Sequence, residues 1–228
     1  MRRSPVFSSS VGGKVIIALS GAALFVYLLI HLAGNLIVYM GREKFNNYAH
    51  LMMQNPLLVP IELALLAVFL VHIYKTVTMT IANYKARPVK YHMKKMAGHP
   101  SRKSAASSTM IWTGSFILLF TIIHLIDIRY GMHYEVEGSD HVRDLYRTEI
   151  LVFKNPLKVA FYVVSMIVLG FHLWHGFWSA TQSLGVEHPD RSWSLLRAGK
   201  VIAVVLAGGF LTIPLWAYFF AHPLGVRP

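Results

Sequence analysis

Five long apolar runs constrain the fold of this chain more than any other feature. They predict helices over residues 15–40, 57–84, 109–130, 157–182 and 199–221, and each run reaches the about 20 residues that an α-helix needs to cross a bilayer. Membrane-spanning strands are shorter and alternate in polarity, and these runs do not. The chain is also 55% hydrophobic and only 14% charged, which is typical of multi-span membrane proteins. We therefore predict an all-α membrane protein, with a five-transmembrane-helix bundle forming a single transmembrane domain over residues 1–228.

The formal net charge of +12 is distributed unevenly between the predicted loops. Residues 85–103 contain seven Lys or Arg and no acidic residue, whereas residues 131–154 contain five acidic residues against three cations. By the positive-inside rule, the N-terminus and the 85–103 loop are predicted to be cytoplasmic. The apolar run behind the basic N-terminus is too long for a signal peptide. The basic loop indicates topology and attraction to anionic membrane lipid. Docking of an acidic soluble partner is the alternative, and no nucleic-acid partner is expected.

The chain contains no cysteine, and this excludes several kinds of site. Disulfides, thiolate-bound iron–sulfur clusters, Cys-ligated zinc and covalently attached c-type haem all require cysteine side chains. Any metal or cofactor must therefore be held by other ligands, of which histidine is the obvious candidate.

A short internal repeat links the two halves of the chain. NPLLVP at 55–60 and NPLKVA at 155–160 open the second and fourth helices, and each proline precedes a histidine, His72 or His172, by 16 residues. The first and third helices contain LIHLAG at 29–34 and IIHLID at 122–127. Each half therefore supplies two intramembrane histidines, and we predict halves related by a pseudo-two-fold axis along the membrane normal.

Helical rise places these four histidines at two depths. At about 1.5 Å per residue, His31 and His124 lie about 10–15 Å below the outer boundary, whereas His72 and His172 lie about 25 Å below it. Four helices thus contribute one histidine each to two stacked pairs. Interhelical hydrogen bonding is the simpler role for any one intramembrane histidine, and a proton relay is another.

The pairs favour haem iron over zinc as the ligand. Zinc usually takes four protein ligands with carboxylate or thiolate among them, and we expect no carboxylate beside either pair. Haem iron needs only two axial side chains, so we predict two haems b. The second ring nitrogen of each histidine is expected to bond a backbone carbonyl. His175, one turn after His172, is an alternative ligand. The other histidines are predicted in loops or at the end of the fifth helix: His50, His92, His99, His133, His141, His188 and His222.

Several short motifs follow one another in a specific order. An HL–N pattern at His31 precedes a G…FN–AH stretch from Gly41 to His50, and then come Glu62 before His72, His124, and FH followed by GFWS around His172. In this order and spacing, nearly the whole chain resembles the di-haem cytochrome b membrane-anchor subunits of succinate:quinone oxidoreductases (succinate dehydrogenase or fumarate reductase), of the single-subunit five-helix type.

The resemblance implies specific ligands, cofactors and partners. His31 and His124 would hold the distal haem b, and His72 and His172 the proximal haem b, the FH pattern favouring His172 over His175. A flavoprotein subunit would oxidise succinate, and an iron–sulfur subunit would pass electrons to this anchor. The chain would then be the quinone-reducing subunit of the enzyme, with menaquinone expected, in the bacterial cytoplasmic (inner) membrane.

Further residues are assigned roles at this site. Glu62 is proposed to relay a proton at the distal quinone site, the alternative being a favourable helix-entry carboxylate. Ser20, Lys75 and Arg129 are candidate partners of the haem propionates, although the two cations could instead extend to the interface.

Two other functions compete with this one. The chain could be a di-haem b-type anchor of another quinone-linked dehydrogenase, such as a hydrogenase or formate dehydrogenase, or a proton-coupled transporter with histidine relays. The sequence leaves open the direction, succinate oxidation or fumarate reduction.

Overall fold

The computed structural model describes residues 9–86, 105–139, 142–186 and 192–225. The helices are α1 (Ser10–Asn35), α2 (Arg42–Gln54), α3 (Leu58–Lys85), α4 (Ala105–His124), α5 (Leu145–Phe153), α6 (Pro156–Ser183) and α7 (Ser192–Phe219). Over the described residues the only β-pairing is an isolated bridge between Glu135 and Arg143. Five helices, α1, α3, α4, α6 and α7, are long and apolar enough to cross a membrane. The predictions of an all-α fold and of a multi-pass membrane protein are confirmed.

Some predicted features lie outside the described residues. These are the N-terminal residues 1–8 and most of the basic loop, on which the prediction of a cytoplasmic N-terminus depends, together with His92, His99, His141 and His188.

Four of the long helices form a bundle, and the fifth packs beside it. α1 packs against α3 and α6, and α4 packs against α6 and touches α3, so that the perimeter runs α3, α1, α6, α4. α1 and α4 therefore lie across one diagonal, and α3 and α6 lie across the other. α7 packs along α6 and also contacts α1. Side chains from diagonal helices can meet inside such a bundle, which is where bundle proteins bind cofactors.

Small residues bring the helices close together. The buried residues of α1 are mainly small: Gly12, Gly13, Ala18, Ser20, Leu32 and Gly34. At Gly209 of α7, a Cβ atom would come within 2.8 Å of Leu32 Cδ2, so a larger residue there would require the Leu32 side chain to move. Close backbone approach at small residues is the usual way in which membrane helices associate. The outward surfaces are apolar instead, and α3 has no buried residue at all, as expected for a helix facing lipid.

Two short helices, α2 and α5, cover one end of the bundle and are called the cap here. Asp144 begins α5, because its carboxylate accepts the backbone N–H of Arg147 at 3.0 Å. The Nη2 atom of Arg42, at the start of α2, lies 2.5 Å from Asp144 Oδ2. Gly41, which precedes α2, has a φ of 98°, a conformation that favours glycine. The prediction that His50 lies in a loop is wrong, because His50 is within α2.

The cap has its own hydrogen-bonded core. Asn46 donates to Asp144 Oδ1 at 2.8 Å and accepts the backbone N–H of Tyr146 at 2.9 Å. Burial alone would raise the pKa of Asp144, but hydrogen bonds from Arg42, Asn46 and the Arg147 N–H lower it below its ordinary value. The buried apolar residues around this cluster, Phe45 and Ile150 among them, continue into α6 and α7. The cap is thus packed onto the ends of the membrane helices.

Candidate functional site

The structure brings His31 of α1 and His124 of α4 together across one diagonal of the bundle. Their ring centroids are 6.0 Å apart and the ring planes are nearly perpendicular, at 86°. Tyr27 stacks on His31 at 5.2 Å and Phe120 stacks on His124 at 5.6 Å. Phe210 of α7 lies 5.7 Å from His31. These two histidines lie towards the cap and are called the cap-side pair.

Hydrogen bonding leaves the cap-side pair loosely held. The Nδ1 atom of His31 lies 3.5 Å from the Tyr27 hydroxyl and 3.4 Å from the Asn35 amide nitrogen, both long for hydrogen bonds. The stronger bond of Asn35 is to the His31 carbonyl, at 2.7 Å. Within the described part of the chain, the buried Nδ1 atom of His124 has no hydrogen-bond partner. A buried, unsatisfied imidazole nitrogen is unusual, and a bound group could supply what is missing.

The second pair, His72 of α3 and His172 of α6, occupies the other diagonal and is called the far-side pair. Ser20 of α1 lies 3.1 Å from His72 Nδ1, and Thr113 of α4 lies 3.1 Å from His172 Nδ1. His172 also lies within electrostatic range of His72. Each far-side imidazole is therefore held by a hydroxyl from the neighbouring helix. The expectation of backbone carbonyl partners is wrong for His172, whereas His72 also reaches the Ile17 carbonyl.

These contacts place the two pairs at different levels. Ser20 precedes His31 by 11 residues, and Thr113 precedes His124 by the same 11 residues. Ser20 and Thr113 mark the level of the far-side pair, so the two levels are separated by about 16 Å along the bundle.

A Ser/Thr–Gly dipeptide extends the internal repeat to the far-side pair. Gly21 and Gly114 follow the two hydroxyl residues at equivalent positions, 93 residues apart. A Cβ atom on Gly21 would lie 3.2 Å from His72 Cε1, and one on Gly114 would lie 3.5 Å from His172 Cε1. α1 and α4 therefore each present a hydroxyl and a glycine to one imidazole. This dipeptide was not predicted from the sequence, although the equal spacing of 11 residues to the following histidine is visible there.

The ligand set fits haem iron better than a metal held by protein alone. Among the described residues, no group of three or more His, Cys, Asp or Glu side chains is placed to hold a metal ion. The 6.0 Å between the centroids of His31 and His124 is close to the about 6 Å expected when two imidazoles bind one ion through bonds of about 2 Å. A metal held by only two imidazoles must bring its remaining ligands with it, as haem iron does.

A half-buried ion pair near His124 contradicts the expectation that no carboxylate lies beside either pair. Asp127 lies one turn after His124, within electrostatic range of it, in a π-helical turn over Leu125–Arg129. Lys158 Nζ lies 2.7 and 3.0 Å from the two Asp127 oxygens, and Tyr162 donates to Asp127 at 3.2 Å. The available signal was an acidic residue inside an apolar run, which usually has a partner and a role.

The remaining candidate residues lie around the two pairs. Glu62 of α3 forms an exposed ion pair with Arg129, with an Oε1 to Nη2 distance of 3.3 Å. Lys75 lies one turn after His72, with its ammonium 5.9 Å from the centre of the Tyr74 ring. His175 is half-buried on α6 and within electrostatic range of His172. The Ser20 hydroxyl lies 3.1 Å from the His72 imidazole, and its proposed contact with a haem propionate stays a prediction.

Comparison of the chain with protein families, with curated proteins and with solved structures gave no match in any of the three.

Proposed function

We propose that the chain is the membrane-anchor cytochrome b subunit of a succinate:quinone oxidoreductase, in the bacterial cytoplasmic membrane. The observation that carries the proposal is the pair of two-histidine sites, one on each diagonal of the bundle and at two levels. The alternative roles of a single histidine do not account for this repetition. The sequence resemblance, with its ordered motifs from His31 to His172, supports the specific choice of enzyme.

In this proposal the far-side histidines hold one haem b and the cap-side histidines hold the other. The haems supply one-electron transfer between two levels of the membrane. The chain's own residues hold the imidazoles: Ser20 and Thr113 fix His72 and His172, and aromatic rings surround the cap-side pair. The glycines beside the far-side rings leave room that any side chain would fill.

Quinone reduction requires protons as well as electrons, and both acidic residues of the described membrane-spanning helices, Glu62 and Asp127, lie towards the cap. Glu62 and Arg129 form a solvent-accessible ion pair at this end, and Asp127 lies nearby, one turn after His124. We assign quinone reduction to the cap side, with Glu62 as the group that takes up and passes on a proton. Lys75, near the far-side pair, and Arg129, near the cap-side pair, are the proposed partners of the propionates.

The electrons must come from other subunits. The chain contains no cysteine, so an iron–sulfur cluster with thiolate ligands belongs to a partner protein. A flavoprotein subunit would carry out the dicarboxylate chemistry. Both would dock on the side opposite the cap, where the basic loop is predicted, and menaquinone is the proposed electron acceptor.

Haem content tests the central claim. We expect two haems b per purified chain by the pyridine haemochrome assay. Each His→Leu variant should lose one haem, and the two variants of a pair should lose the same one. The His31 and His124 variants should therefore share the reduced spectrum of the far-side haem, and the His72 and His172 variants should share that of the cap-side haem. Replacement of His50 in the cap should leave both haems in place. Fewer than two haems in the wild-type chain, or variants that do not group in this way, would refute the two-site arrangement.

Co-purification separates the proposed enzyme from its alternatives. A flavoprotein and an iron–sulfur protein should accompany the chain from its native membrane, and the complex should reduce a menaquinone analogue with succinate. Co-purification with a hydrogenase or formate dehydrogenase would identify a different di-haem anchor. A haem-free chain that carries protons with a solute would identify a transporter.

A further inference from the structure

The hydroxyls of Ser20 and Thr113 each have two kinds of neighbour. One is the Nδ1 atom of a far-side histidine, at 3.1 Å in both places. The other is a carbonyl of the same helix: Ser20 Oγ lies 2.7 Å from the Ile16 carbonyl, and Thr113 Oγ1 lies 3.1 Å from the Met110 carbonyl.

The direction of these hydrogen bonds follows from counting hydrogens. A carbonyl can only accept, and Ser and Thr in helices commonly donate their single hydroxyl hydrogen to a carbonyl of the same helix. With the hydrogen assigned there, the hydroxyl oxygen accepts a hydrogen from the imidazole, and Nδ1 is the protonated nitrogen. The Ile17 carbonyl, which lies near His72, is likewise an acceptor only. In a neutral imidazole this leaves the lone pair on Nε2, the nitrogen then available to a metal.

We propose that Ser20 and Thr113 are positioning residues that fix the far-side imidazoles as Nδ1–H donors and thereby set the redox potential of the haem bound there. This inference rests on the proposed function. A hydrogen bond donated from Nδ1 makes the imidazole a stronger ligand. The stronger ligand favours ferric over ferrous iron, so each hydroxyl holds the potential down.

The Ser20 and Thr113 positions differ in the acceptors available to the histidine, so the two substitutions should have effects of different size. The Ile17 carbonyl lies near His72 and can accept its hydrogen when the Ser20 hydroxyl is removed, whereas the hydrogen bond described for the His172 side chain is the one to Thr113. Loss of the Thr113 hydroxyl should therefore have the larger effect.

The test replaces each hydroxyl and measures the potential of each haem by spectroscopic titration of the purified chain. Thr113→Val keeps the shape of the side chain and removes the acceptor. Thr113→Ser restores it. Thr121→Val is the matched control on the same helix, since the one hydrogen bond that the Thr121 hydroxyl makes to the described residues is to the Ile117 carbonyl, at 2.8 Å.

We expect Thr113→Val to weaken the preference for ferric iron about tenfold, within the range of effects found when the partner of a metal-binding histidine is removed. For a one-electron couple this is a rise of about 59 mV. Only the far-side haem should respond. Ser20→Ala should shift it in the same direction by less, and Thr113→Ser should return it to the wild-type value. Equal potentials in Thr113→Val and Thr121→Val would overturn the inference and leave the two-haem proposal standing.

A second measurement does not depend on haem. In the ¹⁵N-histidine-labelled full chain, the ring nitrogen shifts report which nitrogen carries the proton. We expect His172 to be protonated at Nδ1 in the wild type and to lose that preference in Thr113→Val. If the wild-type chain bound no haem, the proposed function would fail, and this measurement would still decide the direction of the hydrogen bond. Protonation at Nε2 in the wild-type chain would overturn the inference.

Discussion

Glu149 lies in the cap, outside the membrane-spanning helices, and its ionisation should oppose folding. Only 4% of its surface is exposed, and burial raises its pKa from an ordinary value of 4.5 to about 8. Among the described residues, the groups within electrostatic range of it include the hydroxyls of Tyr39, Tyr146 and Tyr162, one of them from α5 itself and two from neighbouring segments. At neutral pH the folded protein therefore holds a proton on Glu149 that the unfolded chain releases.

The sign of the pH dependence follows from this difference. Below pH 4.5 both states are protonated, and above about pH 8 both are ionised. Between these values the folded state binds more protons than the unfolded state, so the free energy of unfolding falls as the pH rises. At 1.36 kcal/mol per pKa unit, the loss between pH 5 and pH 8 amounts to about 3 kcal/mol.

Glu149→Gln should remove this dependence, because the amide is neutral at every pH. Any packing cost of the amide is independent of pH, so the difference between variant and wild type should grow by about 3 kcal/mol from pH 5 to pH 8. Thermal unfolding in detergent, followed by circular dichroism, measures it. Glu137→Gln, at an exposed carboxylate of the 131–139 segment, is the control and should stay parallel to the wild type. A parallel curve for Glu149→Gln would mean that Glu149 is ionised in the folded protein.

Three further predictions concern the bundle of the proposed cytochrome. Glu62→Gln should lower quinone-linked turnover about 100-fold while leaving both haems in place, and unchanged turnover would remove Glu62 from the proton path. Asp127→Asn should lower the free energy of unfolding, measured by thermal unfolding, by about 1–2 kcal/mol, which lies between the values for exposed and buried ion pairs. A simultaneous Lys158→Met should recover part of the loss. An unchanged free energy of unfolding in Asp127→Asn would show that the ion pair does not stabilise the fold. His175→Leu should retain two haems per chain by pyridine haemochrome, in contrast to His172→Leu, and loss of a haem would make His175 the ligand.

The membrane helices could be predicted because hydropathy and length alone identify them. Each span is a run of about 20 apolar residues, and no other structure satisfies the backbone of such a run inside a bilayer. The shared depth of the histidines in each pair also follows a simple rule, since helical rise converts sequence position into depth. Both predictions depend on one helix at a time, or on the spacing along it.

The cap could not be predicted in the same way. α2 and α5 are 13 and 9 residues long, too short to stand out as membrane spans in a hydropathy profile. Their stability comes from contacts between segments about 100 residues apart, such as the bond from Asn46 to Asp144. Asp127 was missed for a related reason: its partner Lys158 lies on another helix, and pairing depends on how those helices are packed.

The two halves of the chain match at the far side and differ at the cap side. This contrast agrees with different functions for the two ends of the bundle. At the far side, Ser20–Gly21 and Thr113–Gly114 make equivalent contacts with their histidines. The symmetry of the repeat is thus retained where both halves would have the same role, which is to hold one flat cofactor. At the cap side the equivalent positions differ. The offset of 93 residues between the first and third spans pairs Gly34 with Asp127, and the offset of 100 residues between the second and fourth spans pairs Glu62 with Tyr162. An electron-transfer site can be symmetric, because electron transfer does not require a substrate to be held in one orientation. A site that binds a substrate and delivers protons to it needs different groups on its two sides, and the ionisable residues have diverged at that end of the bundle.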